Sequence, residues 1–216
     1  MSEMVEPPKP TKMGFANADE FERQRKGIET EVRLAMTSIH SYLAVHRMAA
    51  ANNAIKRGLN EQARFWNVAL YSLQSSFFLA MARLFDESKD SLSMHTFLRN
   101  LVGSAELFSK SALQARKEPD IGAEEARDYI ARRAEITVNH LRELKKSAAA
   151  HADWYSKVIR PIRDEAIAHR LAVDDTRRAE LYSKTKIDQI EAVLMFLFEL
   201  ETTTWEMLHN GRIAVC

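Results

Sequence analysis

The sequence has a single cysteine, Cys216, at its last position. An intramolecular disulfide is therefore excluded, and so is a multi-thiolate zinc site within one chain. Chain breakers are scarce: six glycines and five prolines in 216 residues, with Pro7, Pro8 and Pro10 crowded into the first ten. An all-β chain needs turn residues every several positions, whereas so few breakers leave room for long uninterrupted helices. Long apolar runs are also missing. The most hydrophobic stretch, Ala192 to Leu200, is far short of the ~20 residues that cross a bilayer, and the N-terminus lacks the apolar segment of a secretory signal. Nor is there an excess of one charge. With 31 Lys and Arg against 30 Asp and Glu the net charge is +1, so any polyanion site must be a local patch. The expectation is an all-α, cytoplasmic protein with no membrane contact.

Hydrophobic residues make up 46% and charged residues 28%, a globular balance that argues against a disordered chain. Residues 1–16 carry prolines and no helical period and are expected as a flexible N-terminal arm, with residues 17–216 forming one helical bundle. Asn17 is a good N-cap for a first helix bearing Ile28, Val32, Ala35, Ile39 and Leu43 on one face, with a break around Arg57 to Asn60. A second helix, Glu61 to Phe85, places Trp66, Leu70, Leu73, Phe77, Ala80 and Leu84 at spacings of three and four, the stripe of a core-facing helix. A short helix from about Ser93 to Leu101 follows, closed by Gly103, then a helical piece from Ser104 to Arg116. Glu118 to Gly122 reads as a loop through Pro119. One long amphipathic helix is expected from Ala123 to Pro161, where proline forces a kink or a stop at Arg160. Asp174 to Ser183 reads as a polar loop, and the final helix runs from about Thr185 to His209. Within it Val193 to Phe198 is apolar on every side, so it is either centrally buried or covered by another subunit.

Just past Pro161 lies Arg163-Asp164-Glu165-Ala166-Ile167-Ala168-His169. Arg163 and His169 are separated by about 600° of rotation and ~9 Å of rise in a helix. Within one helix they diverge, but two copies of the helix about a twofold axis can bring the Arg of one chain toward the His of the other. An arginine fork suits phosphate oxygens and stays charged, and histidine moves protons near neutral pH. Together they suffice, without a metal, for attack of a ribose 2′-hydroxyl on the adjacent phosphate. Glu165, one turn before His169, would favour the imidazolium. Asp164 is placed either to orient the partner histidine or to pair with Arg160.

An Arg, then Asn, Asp or His, then a short gap and a His resembles the signature of the HEPN superfamily. Residues 61–101, FWNVALYSLQSSFFLAMARLFDESKDSLSMHTFLRNL within them, are similar to its abortive-infection, AbiU-type branch. The resemblance covers roughly Ile28 to His209, most of it helical pattern. It implies a metal-independent endoribonuclease acting in phage defence or a toxin–antitoxin pair. The composite site at a homodimer interface would use Arg163, Asp164 and His169, with Arg160, Glu165 and Arg170 supporting it or touching RNA. No cofactor and no metal are implied. The partners implied are a second copy, RNA and an antitoxin-like protein. The alternative is a non-catalytic helical dimer that binds RNA or a partner protein.

Other constellations carry less. Arg133 and His140 are another Arg-to-His pair, seven positions apart, but Ala134 stands where the polar residue belongs. Arg132, Arg133, Arg142, Lys145 and Lys146 form either a phosphate-tracking stripe or a solvated face. Glu206 and His209 are the one Glu-x-x-His pair, and a di-iron bundle needs two.

Overall fold

The structure, a computed structural model, describes residues 14–88, 90–168 and 175–213. The elements they form are all helical, with no strand among the described residues. None of their helices is long and apolar enough to cross a membrane.

Helix α1 (Ala18–Ala51) opens on Asn17, whose Oδ1 accepts the Glu20 N–H at 2.9 Å, a cap that typically stabilises by ~1 kcal/mol. It ends at Asn52, earlier than the Arg57 to Asn60 break that composition favours. Asn52 is extended and its Oδ1 accepts the Ala54 N–H at 2.8 Å, so it caps the short α2 (Asn53–Glu61). Helix α3 (Ala63–Leu84) then folds back along α1 in the most extensive helix contact of the molecule. Its apolar stripe divides in two. Phe77, Ala80 and Leu84 are fully buried, whereas Trp66, Leu70 and Leu73 are only half-buried. No residue of α2 is buried, and none of α3 before Phe77, so this end of the hairpin projects from the body.

The main core sits where α1, α3, α4 (Met94–Gly103) and a 3₁₀ turn (Ala105–Phe108) converge. Phe21, Phe97 and Phe108 are buried there, with the Phe21 ring centroid 5.7 Å from that of Phe97 and 5.6 Å from that of Phe108. Burying each contributes about 1.5–3 kcal/mol. Phe15 joins them, 5.4 Å from Phe21, and its N–H donates to Ser104 Oγ at 2.5 Å. The last residues of the expected arm are therefore packed; residues 1–13 lie outside the described part.

Three expectations for the middle of the chain are corrected. Helix α5 (Lys110–Ile121) runs through Pro119 and stops only at Gly122, whose φ of 85° suits glycine. Proline so near a helix end removes only one backbone bond. The long helix expected from Ala123 is two, α6 (Ala123–Ala131) and α7 (Val138–Trp154). The break is held by Thr137, whose N–H donates to His140 Nδ1 at 3.0 Å, and by the Ala134 N–H, which donates to the Gly211 carbonyl at 3.2 Å. His140 is thus a capping residue, and Arg133 lies over the Tyr129 ring at 4.0 Å rather than beside it. Finally, Asp175–Ser183, expected as loop, is helix α8.

Helix α9 (Ile187–Asn210) packs on α1 and ends at Gly211, in the left-handed conformation with φ 58°. Arg25 of α1, 7% exposed, is paired with Glu22, Glu29 and the buried Glu201 of α9. Next to it His209 Nε2 lies 2.8 Å from Glu22, and Glu206 pairs with Asn210 and Arg212. The lone Glu-x-x-His pair is thereby used structurally.

Candidate functional site

Proline at position 161 cannot donate to a carbonyl one turn back, so a regular helix cannot pass through it undisturbed. The chain neither stops nor restarts there. It widens into π-helical turns at Tyr155–Ile159 and Ile162–Ala168, and the Arg160 N–H reaches five residues back to the Tyr155 carbonyl. Such widened turns occur mostly as single bulges, frequently at functional sites. Tyr155, Ile159 and Ile162 anchor the inner side, at most 3% exposed.

The widened helix also borders a cavity of about 230 Å³ against the segment that follows α3. Arg160, Arg163 and Tyr155 line it from the widened helix, and Asp86, Glu87 and Ser88 from across. Arg163 Nε donates to Asp164 Oδ1 at 2.6 Å, and Asp164 Oδ2 lies 3.8 Å from Arg160 Nε. Asp164 therefore sits between two arginines and bonds the nearer. Partial burial pulls the Arg163 pKa down, but the Asp164 hydrogen bond and the charges of Asp164 and Asp86 more than reverse it. The guanidinium is permanently charged. Three carboxylates beside two guanidinium groups make this a mixed-charge pocket, and an incoming anion competes with Asp164 for the Arg163 guanidinium.

Glu165 does not stand open toward the following turn. Arg177 of α8 grips it with Nε and Nη2, both at 2.9 Å, and this pairing holds the Glu165 carboxyl below its ordinary range. The pair ties α8 to the motif helix. His169 and Arg170 lie outside the described residues.

Sequence reasoning missed two members of the site. Tyr155 was legible only as one apolar-face residue of a long helix. It stacks on Phe85 with centroids 4.9 Å apart and planes 14° apart, and its hydroxyl is buried without a partner among the described residues. Burial pushes its pKa up and Arg163 only partly offsets this, so the phenol stays protonated and is a donor. Asp86 was legible only as the end of α3. Nothing in a single sequence brings it to Arg163.

Among the described residues no three His, Cys, Asp or Glu side chains are grouped as a metal ion requires. Comparisons with curated proteins and with solved structures gave no match. The family model HEPN_AbiU2, described as AbiU2, matches residues 18–203, most of the chain and all of the Arg163 to His169 segment. The chain belongs to the AbiU2 family of HEPN domains.

Proposed function

We propose that this protein is a metal-independent endoribonuclease of the HEPN type, acting as a homodimer in abortive infection or as the toxin of a toxin–antitoxin pair. The observation that carries this reading is Arg163 on a proline-widened helix, followed by Asp164 and facing a cavity, within a chain of this family. Arg163 binds the scissile phosphate and stabilises the charge that builds on the phosphorane. His169, from the second chain, moves the proton. The ribose 2′-oxygen bonds to phosphorus and gives up its proton, while the bond from phosphorus to the 5′-oxygen breaks and that oxygen takes a proton. The products are a 2′,3′-cyclic phosphate and a 5′-hydroxyl, with no net proton change.

The dimer supplies what one regular α-helix cannot, since side chains six positions apart diverge within such a helix. Its surface combines the motif helix with the outward face of α9. Val193, Leu194 and Leu197 are buried in the protomer's own core, but Met195, Phe198 and Trp205 are 48%, 40% and 36% exposed. At about 100° per residue these three lie on one side of the helix, and an exposed apolar stripe of this kind marks an interaction surface.

A second reading is favoured by one observation. Asp164 already satisfies part of Arg163, as it would in a dimer whose role is to hold RNA or an antitoxin-like protein without cutting. Incubating RNA with purified protein in a chelator separates the two. The nuclease reading expects cleavage that disappears in Arg163→Ala and in His169→Ala, and intact RNA with wild-type protein would leave the binding role.

A further inference from the structure

Beside the Arg163 cavity, and sharing Phe85 and Glu87 with it, lies a second cavity of about 290 Å³. It is open because α7 presents Ala148, Ala149 and Ala152 to it, and no large side chain fills the space between α7 and α4. Phe85, Met94 and Leu98, each nearly fully buried, form its apolar wall. Of its polar lining residues, Glu87, His95 and Lys145 are exposed and Ser156 is half-buried. A small apolar slot with a few placed polar groups is the usual form of a small-ligand site.

We propose that this second cavity binds one unstacked base of the RNA while its phosphate lies in the Arg163 cavity, and that it favours a base carrying an exocyclic amine. The inference rests on the nuclease-type reading above and adds the substrate subsite to it. Three observations join in it. First, the two cavities adjoin, with Phe85 and Glu87 lining both. Second, cations stand at both ends, Lys145 at one and Arg160 with Arg163 at the other, as a nucleotide flanked by phosphates requires. Third, Tyr155 lines the Arg163 cavity and its buried hydroxyl has no hydrogen-bond partner among the described residues. A phosphate oxygen would give it one. RNA-binding proteins commonly take single bases out of the stack and read their edges in this way. Glu87 sets the preference. A carboxylate accepts from the amine of cytosine, as it does in base readout generally, and repels the carbonyl that uracil has at the same position.

The test is titration of the full-length protein with cytidine 3′-monophosphate, uridine 3′-monophosphate and decanoate, followed by amide NMR shifts. The cytidine nucleotide should shift Ala149 and Ala152 and bind about tenfold tighter than the uridine one, the discrimination expected of one well-placed edge contact. Ala149→Leu, at an exposed position, fills the slot and should weaken cytidine nucleotide binding about tenfold or more, the usual loss of one stacked base. Glu87→Gln, which can donate as well as accept, should level the two nucleotides. Nucleotide shifts confined to other residues, an Ala149→Leu protein that binds like wild type, or a preference that survives Glu87→Gln would each overturn the proposal. Binding of decanoate but of neither nucleotide would overturn it in favour of an aliphatic occupant. Nucleotides that bind here while wild-type protein leaves RNA uncut would uphold the subsite and remove the nuclease reading.

Discussion

Arg163 donates through Nε to the carboxylate of the very next residue, Asp164, at 2.6 Å. Neighbouring side chains on a regular α-helix point about 100° apart and do not face each other. The contact accompanies the widened turn after Pro161. It gives Asp164 a role that sequence leaves open: it holds the guanidinium that a phosphate must win. Asp164→Asn keeps the shape and removes the competing charge. RNA should therefore bind the variant several-fold tighter in fluorescence anisotropy, with Tm nearly unchanged because a half-exposed pair is worth only ~1 kcal/mol or less. Weaker RNA binding by Asp164→Asn would show that the carboxylate helps to hold the substrate instead of competing with it.

Arg25 is the cation on which the contact between α1 and α9 depends. Its side chain is 8% exposed and that of Glu201 9%. Removing one partner of a buried pair strands the other charge, which typically costs 3–5 kcal/mol. Arg25→Ala should lose about that much in urea unfolding. Arg25→Met with Glu201→Leu together should recover most of it. A loss of less than ~1 kcal/mol in the single variant would mean the network is solvent-screened.

His151 stacks on Phe196 with centroids 4.0 Å apart and planes 20° apart, and burial pushes its pKa below the ordinary 6.5. As pH falls, the unfolded chain takes up this proton before the folded one does. The contribution is thus complete above about pH 6.5 and is lost as pH falls from there through the folded pKa. Urea unfolding between about pH 8 and about pH 5 should show that decline, and His151→Phe should flatten part of it. Equal slopes in the two proteins would contradict the assignment.

Much of the fold was legible because local chemistry and tertiary packing agree. Asn17 is a cap in sequence and in structure, and Phe77, Ala80 and Leu84 are core in both. The failures have physical causes. Asp175 to Ser183 looks like loop because Leu181 is its only buried residue. Its helix is held by pairs that hydrophobic periodicity does not register: Arg178 with Asp175, and Arg177 and Lys184 with Glu180. The break between α6 and α7 depends on a carbonyl of Gly211, far along the chain. At the site, Arg163 and Asp164 were legible from their spacing and from Pro161. Asp86 and Tyr155 were not, because what makes them members is the approach of the α3 end to the widened helix.

The outward stripe of α9 leads to a direct expectation about assembly. Phe198→Asp, at a position already 40% exposed, should leave the protomer folded and convert a dimer into a monomer in light scattering at micromolar concentration. A wild-type protein that is monomeric under those conditions would remove the shared site altogether.

The measurement closest to the central claim is RNA cleavage by Arg163→Ala and His169→Ala, alone and mixed, in the presence of a chelator. Each variant alone should lose cleavage by ~10²-fold or more, the usual effect of removing a charge-stabilising donor or an acid–base group. If each site takes its arginine from one chain and its histidine from the other, a mixed dimer keeps one intact site. Half the dimers in an equal, exchanged mixture are mixed, so activity should return to about one quarter of wild type in a twofold assembly. Two inactive variants whose mixture stays inactive after subunit exchange would contradict a shared site, and variants that cut as well as wild type would contradict the site itself.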